Sequence, residues 1–157
     1  MTKTGFARNG AIAGLASGFV EAIIIYASLP SVDEVIEEMH KKSIAVPVSE
    51  ELLWKYLEVV LPISGIIAVI FMLIIGALFG VLSGYIYSKS TLGVTSSALA
   101  SGILLLAFLV LPNLLFRADT GKIVSNIITG VVYTVSLVLA SIRWDPLTYR
   151  EKEPRLT

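Results

Sequence analysis

The chain has 157 residues, with 12 Lys and Arg against 12 Asp and Glu, and 55% hydrophobic against 15% charged residues. Zero net charge offers no concentrated basic surface for nucleic acid, and the lack of cysteine removes disulfides, thiolate nucleophiles and cysteine-ligated metals. A mean hydropathy of +0.84 lies far outside ordinary soluble usage, so the expected solvent for most of the chain is lipid.

Four apolar stretches, about 6–29, 62–87, 92–111 and 123–142, are each long enough to cross a hydrocarbon core of about 30 Å as a helix. The expected fold is an all-α integral membrane protein, one polytopic domain over 1–157. Its four transmembrane helices pack through Gly-xxx-Gly-xxx-Gly stripes, and two short amphipathic surface helices lie between the first and second spans. The start, MTKTGFAR, has the charge of a signal peptide, but the apolar stretch behind it is too long for an h-region and reads as a retained span.

In the first span Gly10, Gly14 and Gly18 recur at four-residue intervals, a flat stripe on which a second backbone can approach closely. Glu21 follows within an otherwise apolar run. At 100° per residue it lies about 20° from Gly10 and Gly14 around the helix, so it faces the bundle and not lipid. Inserting a carboxyl costs about 3 kcal/mol even on the lenient scale. Its first expected role is to fix helix register through a hydrogen bond to a group at similar depth: Asn126, Thr129 or Tyr133 on the fourth span, or Ser64 on the second. Its second is to handle a proton or a cation.

The stretch 30–61 is the one sizeable hydrophilic region. Ser31 and Glu34 stand at capping-box spacing, and Val32, Val35, Ile36 and Met39 form an apolar stripe behind them. A second surface helix is expected from a cap at Ser49, burying Leu53, Tyr56, Leu57 and Val60, with Trp54 and Tyr56 at headgroup level. Pro62 is expected to end this helix or kink it into the second span. Glu37 and His40 have the E-x-x-H spacing of carboxylate-bridged di-metal bundles, but such a site needs two histidines and this chain has one. No metal or cofactor is expected.

The second span repeats the glycine device with Gly76, Gly80 and Gly84, and the third adds Gly93, Ser97 and Ser101 at the same depth. Antiparallel neighbours bring these residues to one half of the bilayer, expected to be the cytoplasmic half. Ser17, Ser83 and Ser101 each precede a glycine, yet there is no G-x-S-x-G elbow and no histidine within reach, so no catalytic residue is assigned. LASG at 15–18 recurs at 99–102, and each copy runs on to an LP pair, a pattern that two duplicated hairpins would leave. Glu21 then aligns with Leu105.

Between the third and fourth spans Asn113, Arg117, Asp119 and Lys122 form a polar turn with the chemistry to bind an anion or a headgroup, read first as a solvated loop. After Trp144 comes a charged tail, 143–157. Lys3, Arg8, Lys89, Arg143, Arg150, Lys152 and Arg155 fall on the side of the termini, against Lys41, Lys42, Lys55, Arg117 and Lys122 opposite. The positive-inside rule therefore expects cytoplasmic termini and an extracytoplasmic 30–61 in the cell membrane. Glutamine is absent and asparagine limited to three positions, a poverty in thermolabile side chains expected of a thermophilic source.

The expected function is a non-enzymatic accessory or scaffold subunit, in contact with lipid and with other membrane subunits or itself. The alternative is a small homo-oligomeric transporter or channel for protons or a cation, using Glu21.

Overall fold

The computed structural model describes residues 3–28, 31–41, 50–116 and 119–143, and every element among them is an α-helix. These are α1 (Lys3–Ser28), α2 (Val32–Lys41), α3 (Glu50–Lys89), α4 (Val94–Leu115) and α5 (Thr120–Arg143). All but α2 are long and apolar enough to cross a membrane. The expected cap at Ser49, the residue Arg117 and the tail after Arg143 lie outside the described residues.

The four long helices form a ring in which α1 meets α3 and α5, and α4 meets α3 and α5. The α1–α3 contact is backbone against backbone. A Cβ on Gly76 would lie 2.6 Å from both Gly10 O and Gly14 Cα, and one on Gly80 would lie 2.8 Å from Gly10 Cα. Further along, a Cβ on Gly18 would meet Val69 Cα at 2.9 Å, and one on Gly84 would meet the Phe6 ring at 2.8 Å. Every four residues forward on α1 are matched by four back on α3, so the two run antiparallel in constant register. The α4–α5 contact is looser in kind, since side chains fill the spaces over its glycines: Thr134 over Gly102, and Leu106 over Gly130.

Gly93 does not belong to the packed rows. It is the N-cap of α4 and has open space where a Cβ would stand, because α4 begins there and no neighbouring helix reaches it. Ser97 and Ser101, one and two turns on, are fully buried.

Between the helices sits a core of Ala13, Met72, Ala98, Leu105, Tyr133 and Leu137. Seven polar residues are buried with it: Asn9, Ser17, Ser83, Ser97, Ser101, Thr129 and Ser141. Large apolar side chains such as Ile23, Ile67, Leu78 and Leu139 point outward. Among soluble proteins the usual order is the reverse.

α2 starts on the expected capping box: Glu34 N donates to Ser31 Oγ at 3.2 Å, and Ser31 N donates to Glu34 Oε2 at 2.8 Å. The expected second surface helix is not a separate element. The segment 50–61 is the first part of α3, which runs on through Pro62 without a break in assignment. A proline inside a helix removes one backbone bond and costs about 3 kcal/mol. Beside it Tyr26 of α1 donates its hydroxyl to Pro62 O, which ties α1 to α3 at this level. Its ring lies 2.6 Å from the Cβ position of Gly65, where any larger residue would push it away.

Gly76→Ala is expected to lower stability by about 1–3 kcal/mol, since the added methyl meets backbone that cannot rotate aside. Leu78→Ala, on an exposed face, should stay within about 0.5 kcal/mol. Thermal unfolding in detergent or nanodiscs measures both, and equal losses would show that the glycine contact is dispensable.

Candidate functional site

Near the C-terminal end of α1 the close contacts give way to a cleft of about 550 Å³, lined by α1, the end of α4 and the start of α5. From α1 it takes Glu21, Ile24, Ile25 and Ser28. Opposite stand Asn113 of α4 and Asp119, Gly121, Lys122, Ser125 and Asn126. A volume of this order is that of a small-molecule pocket.

Glu21 forms the floor, about 10 Å from the level of Ser28 at one and a half ångströms per residue. Its Oε2 accepts the hydroxyl of Ser125 at 3.0 Å and also that of Thr129. Its Oε1 has no hydrogen-bond partner among the described residues, and Glu21 lines the open space. Half of the carboxyl is thus anchored, and half faces the cleft.

Asp119 caps α5. Its side chain accepts from Gly121 N at 2.9 Å, and its carbonyl accepts from Lys122 N at 3.0 Å. Those bonds consume the first N–H groups of α5, the part of a helix end that would attract an anion. The ends of α1 and α4 meet the cleft with carbonyl oxygens instead, and the helix dipole makes those ends partially negative. Asn113 and Asn126 both turn their amide nitrogen to one carbonyl, Leu109 O, at 2.8 and 3.2 Å. With two carboxylates, one ammonium and two helix C-termini, the cleft is chemically suited to a cation.

Of the residues expected beside Glu21, the structure brings Thr129 to it. Asn126 lines the same cleft but bonds α4, and Tyr133 lies deeper, where its hydroxyl donates to Gly76 O at 2.8 Å. Ser64 is half-buried on α3. Sequence reasoning missed Ser125, although it stands four residues before Thr129 and therefore on the same face of α5. It also read Asn113, Asp119 and Lys122 as an ordinary loop, whereas they converge with Glu21 on one cavity.

Comparison of the chain with protein-family models, with curated proteins and with solved structures finds no match in any of the three. Function is therefore read from the cleft itself.

Glu21→Gln should leave stability within about 0.5 kcal/mol of wild type, because the amide oxygen still accepts both hydroxyls. Glu21→Leu orphans Ser125 and Thr129 and should cost about 1–3 kcal/mol. Thermal unfolding of the two variants side by side provides the check. A Leu variant as stable as wild type would mean that those two bonds hold nothing together.

Proposed function

We propose that the chain is a four-span membrane protein that binds a small cation in the Glu21 cleft and passes protons or a monovalent cation. The observation that carries this reading is the carboxyl of Glu21, anchored through Oε2 to Ser125 and Thr129, on the wall of a cleft that also holds Asp119, Lys122 and Asn113. A group needed only for register gains nothing from an open cavity, and exposing it to one lets it exchange a proton or hold an ion. Insertion in a bilayer is supported by the inverted distribution of the bundle. Lipid accepts an apolar exterior, and helices satisfy their own backbone groups there. The glycine contact between α1 and α3 fits the small-residue packing used where water supplies no hydrophobic drive.

Cytoplasmic termini would put the cleft mouth, α2 and the start of α3 on the extracytoplasmic face. A membrane-impermeant thiol reagent should then label Glu38→Cys in intact cells and Lys152→Cys only after lysis. The opposite pattern would invert the topology.

A second reading, the accessory subunit, is favoured by a different observation. The segment 50–61 carries α3 about 18 Å past the level where Tyr26 meets Pro62. It exposes Leu52, Trp54, Tyr56 and Val59, with α2 alongside. Such an arm is a plausible handle for another membrane protein. Purification in mild detergent separates the two readings. A stoichiometric set of co-purifying proteins would favour the subunit, and an isolated homo-oligomer the transporter.

For the leading reading, wild-type protein in liposomes should carry a flux of protons or Na⁺, followed with entrapped pH-sensitive and Na⁺-sensitive dyes. Glu21→Gln should abolish that flux while keeping the wild-type unfolding temperature. A folded Gln variant with undiminished flux would refute the role given to Glu21.

A further inference from the structure

Toward the opposite end of the bundle, five buried side-chain atoms have no hydrogen-bond partner among the described residues: Asn9 Nδ2 and Oδ1, Ser83 Oγ, Ser97 Oγ and Ser141 Oγ. Each of the four long helices supplies one of these residues, and all four are only 0–1% exposed. Their levels follow from the contacts between helices. Asn9 adjoins Gly10, whose neighbour across α3 is Gly80, and Ser83 lies three residues further toward the same end. Ser101 of α4 donates to Phe79 O, and Ser97 and Ser83 each lie one turn beyond that bond in the same direction. Gly102 faces Thr134 of α5, which sets Ser141 level with Ser97 to within about 3 Å. The four residues therefore form a single layer no thicker than about one helical turn, 5.4 Å.

An orphaned polar group inside a protein costs free energy comparable to a lost hydrogen bond. One such group is an oddity, but a whole layer of them drawn from four helices marks a bound species. A metal cation would use the oxygen lone pairs alone. It would leave the Asn9 amide N–H groups and the serine hydroxyl hydrogens without acceptors, in a layer that holds no counter-charge. Water both donates and accepts, and buried water ordinarily makes about three bonds to groups of this kind.

We infer that this layer is an internal water site. About 18 Å separates the levels of Glu21 and Asn9 along α1. Between them Ser17, Tyr133 and Ser101 spend their hydroxyl protons on main-chain carbonyls, and Leu105, Met72 and Leu137, at 0–3% exposure, fill the remaining space. The site is therefore separate from the Glu21 cleft and independent of the role given to that carboxyl.

The test uses the full chain in nanodiscs and liposomes. With ¹⁵N-labelled asparagine, magnetisation should pass from water to the Asn9 side-chain amide despite its complete burial. Dry packing would leave that signal silent and overturn the site in the wild-type protein, with no variant required. The combined Ser83→Ala, Ser97→Ala and Ser141→Ala variant gives a sign. If the layer is dry, removing three orphaned hydroxyls raises the unfolding temperature; if it holds water, the loss of the water's partners lowers it by several degrees. Single Ser97→Ala serves should the triple variant fail to fold.

Discussion

The rest of the bundle depends on the contact between two backbones. Where Gly10 and Gly14 of α1 meet Gly76 and Gly80 of α3, main-chain atoms touch without intervening side chains. Gly76 O is the centre of that junction: it is the closest atom to the Cβ position of Gly10, and it also accepts the hydroxyl of Tyr133 from α5. One carbonyl thus ties three helices together. A methyl at Gly10 would act on all of them, because the atom it strikes is the one that orients Tyr133.

Constant register along α1 and α3 carries the constraint to both ends. At one end it sets the Tyr26 ring over Gly65 and its hydroxyl on Pro62 O, a tie between α1 and α3 beside the proline. At the other it sets Phe6 over Gly84. The cleft opens on another side of α1, against the end of α4 and the start of α5, where Glu21 itself still reaches Ser125 and Thr129.

Much of the helical skeleton was legible because its signals are local. Apolar runs of the right length mark the four long helices, and Ser31 with Glu34 marks the start of α2. The passage of α3 through Pro62 was not legible, since a proline in such a run ends a helix or kinks it with the same local signal, and the contact that Tyr26 makes beside it comes from thirty-six positions away. Gly93 was read as one more small residue in a row, but a glycine just before a helix reads the same whether it packs or caps. Ser125 could have been found from its i, i+4 relation to Thr129. The cleft and the polar layer could not, because each gathers residues from three or four helices whose relative depth depends on register between chains of contacts. A sequence shows that glycines recur every fourth position, but it does not show which backbone lies across from them.

Stiffness in this bundle is unevenly distributed, and this bears on how Glu21 is held. Backbone against backbone cannot yield by rotating a side chain, so α1 and α3 move as one body or not at all. On the other side α4 and α5 meet through side chains, Thr134 and Leu106, rather than through backbone. Glu21 belongs to the stiff pair, while its two anchoring hydroxyls, Ser125 and Thr129, belong to α5. The carboxyl is therefore held across the boundary between the rigid and the adaptable parts. A shift of α5 changes what Oε2 bonds without moving the glycine contact, and the tie from Tyr133 to Gly76 O limits how far that shift can go.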